Sequence, residues 1–78
     1  MHYLRSMDKQ DTQYLKESLR NQRPHERFNE ALSRTICDKI KNKKGYELYI
    51  RLIGRVREVA KEKKLSETEA VKLILGRS

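Results

Sequence analysis

Residues 47–63 read ELYIRLIGRVREVAKEK, and the spacing of their apolar side chains decides the fold. The apolar residues lie three or four positions apart, at Tyr49, Leu52, Ile53, Val56, Val59 and Ala60. This spacing places them on one face of an α-helix, while most of the charged residues fall on the opposite face. The pattern therefore predicts an amphipathic helix over residues 47–63.

A second helix is predicted after it, over residues 66–76. Its first residues, Ser66-Glu67-Thr68-Glu69, form a capping box in which the Ser66 hydroxyl accepts the Glu69 N–H. The helix is apolar on most sides and ends at Gly76. A short helix of this kind has to be buried, either within its own chain or against a second copy.

Two more helices are predicted before residue 47, over residues 8–22 and 24–44. Pro24 is favoured as a first helical residue, and apolar residues then recur every four positions. Gly45 would end the helix in a left-handed conformation. The sequence thus predicts an all-α fold, a small bundle of about four helices in a single domain.

A β-hairpin is the alternative for the middle of the chain. Residues 35–40 and 46–52 are rich in β-branched and aromatic side chains, and residues 42–45 have the composition of a turn. The helical interpretation is favoured, and a short strand near residues 46–52 is kept as the alternative.

Residues 56–75 read VREVAKEKKLSETEAVKLIL, an amphipathic helix, a polar turn and a capped second helix. Together with residues 46–52 in the place of a strand, this segment resembles ribbon-helix-helix DNA-binding proteins. The resemblance implies a dimer in which Glu47, Tyr49 and Arg51 face the major groove of DNA.

The positive charge of the chain is concentrated in residues 39–64. This stretch holds 10 Lys and Arg against 3 Asp and Glu, and the net charge of the whole chain is +8. Crowded like charges destabilise a folded domain, which favours a polyanionic partner, with duplex DNA expected ahead of RNA. The predicted nucleic-acid-binding residues are Lys41, Lys43, Lys44, Tyr49, Arg51, Arg55, Arg57 and Lys61.

Other classes of function have little support in the sequence. Cys37 is the only cysteine and is expected to be a small buried residue, so no intrachain disulfide, structural zinc site or cofactor is predicted. The acidic residues are scattered among basic ones, so no catalytic residue is predicted and the protein is not expected to be an enzyme.

The expected location is the cytoplasm, with no membrane partner, because no apolar run approaches the ~20 residues of a membrane span. A chain of 78 residues buries a marginal core, which favours a homodimer. The predicted function is a DNA-binding regulator or accessory factor. The alternative is a protein-binding module or inhibitor that docks its basic face on an acidic protein partner.

Overall fold

A computed structural model describes residues 9–77 of the chain, with side chains up to Gly76. The described residues form α1 (Lys9–Asn21), α2 (Phe28–Lys39), α3 (Lys43–Lys63) and α4 (Glu67–Arg77). No strand occurs within residues 9–77, which confirms the prediction of an all-α bundle of four helices. Residues 46–52, a strand in the alternative interpretation, lie within α3. Residue 8, where the first helix was predicted to begin, lies outside the described residues.

The core draws side chains from all four helices. The large side chains that are fully buried are Leu15 of α1, Phe28, Leu32 and Ile36 of α2, Leu52, Val56 and Val59 of α3, and Val71 and Ile74 of α4. The apolar spacing of α3 therefore gives the buried face that the sequence predicts. α1 packs chiefly on α2 and α4, and α3 packs on α2 and α4.

The capped C-terminal helix is buried within its own chain. The Ser66 hydroxyl accepts the Glu69 N–H at 3.2 Å, as predicted. Ala70, Val71 and Ile74 are at most 1% exposed. The apolar surface of α4 thus needs no second copy to cover it.

Lys64 joins α3 to α4 in a left-handed conformation, with φ 58° and ψ 48°. The backbone N–H groups of Lys64 and Leu65 both donate hydrogen bonds to the carbonyl of Ala60, and these bonds cap the C-terminal end of α3. Glycine is the usual residue at such a position, because a side chain there costs about 1–2 kcal/mol.

The start of α2 was predicted wrongly. Residues 24–27 form a turn before the helix, in which the Glu26 N–H donates to the carbonyl of Arg23 at 3.0 Å. The Glu26 carboxylate accepts both an Arg34 Nη2 hydrogen bond at 2.6 Å and the Arg23 N–H at 3.1 Å. These bonds, that of Arg34 first, lower the pKa of Glu26 below its ordinary value. The turn therefore has partners of its own and does not continue into α2.

The junction of α2 and α3 also differs from the prediction. α2 ends at Lys39, and α3 begins at Lys43, before Gly45 instead of after it. Asn42 is the N-cap, and its side-chain oxygen accepts the Lys44 N–H at 2.9 Å. Among the described residues no glycine has a positive φ, so Gly45 is not a left-handed stop.

Gly45 is required for a different reason. A Cβ atom there would lie 2.6 Å from the carbonyl oxygen of Ile40 and 3.2 Å from its Cβ. Real Cβ atoms do not approach a backbone oxygen this closely, so the first turn of α3 lies against Ile40 only because residue 45 has no side chain.

We expect Gly45→Ala to lower the free energy of unfolding by about 1–3 kcal/mol, the usual cost of overpacking. Gly54→Ala is the matched control, since nothing lies within 4 Å of a Cβ at that position of the same helix. It should raise stability by about 0.5–1 kcal/mol through helix propensity. Urea unfolding followed by circular dichroism measures both, and equal effects would contradict the close approach at Gly45.

Candidate nucleic-acid interface

Three of the predicted binding residues, Lys41, Lys43 and Lys44, come together where α2 gives way to α3. All three are exposed. The part of the chain that the structure describes provides no ion pair for any of them. We call these residues the lysine corner. Its charge is available to a ligand, because no carboxylate within residues 9–76 forms an ion pair with it.

A groove of about 560 Å³ adjoins the lysine corner. Ile36, Cys37 and Ile40 line it from the end of α2, and Tyr46 and Tyr49 line it from the start of α3. Lys41 also lines it, so the lysine corner and the groove are continuous. We call this cavity the tyrosine groove. It combines aromatic and aliphatic walls with adjacent positive charge.

Two side chains of the groove differ from expectation. Cys37 was expected to be buried but is exposed. Tyr46, which was not among the predicted binding residues, has 66% of its surface exposed, whereas Tyr49 is partly buried against the core. The predicted helices ended at residue 44 and began again at residue 47, which left Tyr46 outside both of them. With α3 beginning at Lys43, the three-residue spacing from Tyr46 to Tyr49 places both on neighbouring positions of one helix.

Arg51, another predicted binding residue, forms an ion pair across the fold. Its Nη1 donates to Oδ2 of Asp11 at 2.5 Å and its Nη2 to Oδ1 at 3.2 Å. The Asp11 side chain is 4% exposed, whereas that of Arg51 is 55% exposed. The two-pronged contact joins α1 to α3, so Arg51 has a structural partner that composition alone did not indicate.

Arg55 and Arg57 also contact carboxylates. Arg55 lies 3.1 Å from Glu58, one turn along α3, and both side chains are well exposed. Arg57 donates from Nε to Glu67 at 2.9 Å, which links α3 to the first residue of α4. This hydrogen bond raises the pKa of Arg57 above its ordinary value. Each guanidinium therefore has a local countercharge.

Lys61 lies far from the lysine corner. It is exposed near the C-terminal end of α3, beside Lys63 and Lys64. At 1.5 Å per residue, the two lysine clusters at the ends of this helix are roughly 27 Å apart. The predicted residues thus divide into a group at the start of α3, a paired group along it, and Lys61 near its end.

A second cavity, of about 700 Å³, lies between the start of α2, the end of α3 and the start of α4. It is lined by both signs of charge, including Arg27, Glu30, Arg57 and Glu67. Arg57 is bound to Glu67, and the Glu30 carboxylate accepts the Arg27 N–H at 2.9 Å. This balance makes the cavity a poorer site for a polyanion than the tyrosine groove.

Comparison of the chain with protein-family models, curated proteins and solved structures finds no match. The resemblance of residues 46–75 to ribbon-helix-helix proteins therefore stays a prediction. Within residues 9–77, none of the helices combines the length and the apolar composition that a membrane span requires.

We expect Arg51→Ala to lower the free energy of unfolding by about 1–3 kcal/mol, because the buried Asp11 carboxylate loses two charged hydrogen bonds. Arg55→Ala is the matched control on the same helix, and loss of its exposed pair should cost no more than about 0.5 kcal/mol. Urea unfolding at neutral pH measures both variants. Equal small losses would contradict a structural role for the Asp11–Arg51 pair.

Proposed function

We propose that this protein binds nucleic acid and that the lysine corner is its phosphate-binding surface. The observation that carries the proposal is the set of exposed, unpaired lysines beside a groove lined by two tyrosines. Lysine is a common ligand for phosphate, and aromatic side chains stack on bases. A nucleic acid needs both a site for its phosphates and a surface for its bases, and here the two lie next to each other.

The position of the lysines on α3 supports the proposal. Lys43 and Lys44 lie in the first turn of the helix, which contains no acidic residue. The helix dipole disfavours cations there by about 0.3–1 kcal/mol each at low salt. Lys43 and Lys44 therefore lie where the helix dipole is unfavourable, and no carboxylate among the described residues compensates for it. Such unfavourable placements are expected at functional sites, so this one favours a role in binding.

The proposed interface is centred on Lys41, Lys43, Lys44 and Tyr49. Arg51, Arg55 and Arg57 could reach a phosphate only in exchange for, or in addition to, the carboxylates they contact. Exchange would release a carboxylate that repels the same phosphate, so we assign these three a secondary part in binding. Lys61 would contribute only to a ligand long enough to follow α3 from one end to the other.

We further propose that the protein is a cytoplasmic binding protein, a regulator or accessory factor, and not an enzyme. Contacts to phosphates position a protein without reading sequence, so the lysine corner on its own gives little sequence preference. Any preference has to come from the groove beside it.

Binding to a mixed-sequence oligonucleotide at several salt concentrations tests the proposal. The affinity of the unmodified protein should fall steeply with salt, and exchange of Lys41, Lys43 and Lys44 for Gln should lower both affinity and salt dependence. The log–log slope should decrease by about 0.7–0.9 for each lysine that neutralises a phosphate. This variant should fold, because glutamine removes two cations from the start of a helix.

The matched control exchanges Lys61, Lys63 and Lys64 for Gln, which removes the same charge from the other end of α3. It should retain most of the affinity. Equal losses in the two variants would indicate diffuse attraction and contradict a site at the lysine corner. No binding by the unmodified protein at low salt would contradict the proposed function and favour the acidic protein partner. Arg51→Glu is avoided, because it would place a carboxylate against Asp11 and disturb the fold.

The homodimer stays a prediction that rests on the small size of the core. Since α4 is buried within its own chain, a single copy folds around a complete core. Sedimentation equilibrium should give a mass above 9.4 kDa that falls on dilution, whereas the monomer mass at all concentrations would contradict a dimer.

A further inference from the structure

We infer that the tyrosine groove holds an unpaired base of a single-stranded nucleic acid while the lysine corner holds its phosphates. The inference rests on the proposed function and names the substrate class of that site. It departs from the sequence-based preference for duplex DNA, and the form and charge of the groove carry it.

The groove has the walls that a base requires. At about 560 Å³ it lies within the ordinary range of sites for small organic ligands. Tyr46 offers a ring that is 66% exposed, and Tyr49 lines the same cavity. Ile40, which is partly buried, adds aliphatic surface at the end of α2. An unstacked base buries its faces on such side chains, and this contact tolerates any base because every base has an aromatic face.

A duplex fits this site less well. The bases of a duplex are stacked on one another, and proteins read their edges by inserting a convex helix or ribbon into the major groove. Here the basic residues border a concave surface. The flank of α3 that could enter a major groove carries both signs of charge, at Glu47, Arg51, Arg55 and Glu58, and three of these four are bound within the fold or the helix. A base that has left its stack can enter the groove, but a paired base cannot.

Charge complementarity favours a nucleic acid over an apolar peptide as the occupant. Lys41 lines the groove, Lys43 and Lys44 follow within three residues of it along the chain, and no carboxylate is among the residues that line the groove. A single strand supplies an anionic backbone and a planar apolar ring in each repeating unit. It therefore satisfies the lysines and the tyrosines at once.

The first experiment compares three ligands of equal length: oligothymidylate, the same backbone without bases, and a duplex. All three carry phosphates, but only oligothymidylate offers unpaired bases. We expect it to bind about 5- to 150-fold more tightly than the abasic strand, the range that stacking of one base supplies. We also expect it to bind more tightly than the duplex when salt and strand concentration are matched.

Variants of Tyr46 test whether the preference for oligothymidylate over the abasic strand arises in the tyrosine groove. Tyr46→Ala should reduce the preference for oligothymidylate over the abasic strand, and Tyr46→Phe should restore it because the ring remains. Ile50→Ala is the matched control, an exposed apolar residue of α3 that does not line the groove. It should leave the preference unchanged. Tyr46 is mostly exposed, so its substitution should leave the melting temperature nearly unchanged, which circular dichroism checks.

Cys37 gives an independent readout, because it is the only cysteine, is exposed and lines the groove. Alkylation of its thiol with a bulky maleimide should fill the groove and abolish the preference for oligothymidylate while the abasic strand still binds. Conversely, bound oligothymidylate should slow alkylation of Cys37, whereas the abasic strand should slow it less. The alkylated protein is compared with a Cys37→Ser variant treated in the same way.

The outcomes distinguish the inference from the function on which it rests. Equal binding of oligothymidylate and the abasic strand, both weakened by exchange of the lysines, would overturn the base site and leave a phosphate-binding protein. Tighter binding of the duplex, unaffected by Tyr46→Ala, would overturn it in favour of duplex recognition. No binding of any of the three ligands at low salt would overturn both proposals.

Discussion

The arrangement of the candidate site depends on one close approach, that of Gly45 to the carbonyl of Ile40. Because residue 45 has no side chain, the first turn of α3 lies directly against the last residues of the α2 segment. That contact sets the distance between the aliphatic wall from α2 and the aromatic wall from α3. A larger residue at position 45 would push the walls apart. Gly45 therefore both allows α3 to pack against Ile40 and limits the width of the groove.

The helices and the core were largely predictable from the sequence, because their signals are local. The apolar spacing of residues 47–63 gave a buried face to α3, and Ser66 caps α4 as its position suggested. The junction of α2 and α3 was predicted wrongly because its residues carry two conflicting signals. Lysines followed by glycine are typical of the end of a helix, whereas Asn42 is a good residue for the start of one. The structure follows Asn42, and the close approach of Gly45 to Ile40 depends on a backbone geometry that the residue types alone do not indicate.

The candidate site was only partly predictable, for a related reason. Runs of charge show where cations are frequent, but not which of them meet carboxylates after folding. Asp11 and Arg51 are 40 positions apart and become partners only when the helices of the bundle come together. Lys41, Lys43 and Lys44 are sequence neighbours and remain unpaired together. Long-range packing thus selects, from one basic stretch, the charges that stay available.

The left-handed conformation of Lys64 has a consequence for how the bundle opens. Detachment of α4 would release the strain at Lys64 but would expose the buried Ala70, Val71 and Ile74, so this opening should occur only transiently. The residues of the tyrosine groove all come from residues 33–49, at the opposite end of α3 from Lys64. Transient detachment of α4 would therefore leave the groove-forming corner of α2 and α3 connected as a local unit.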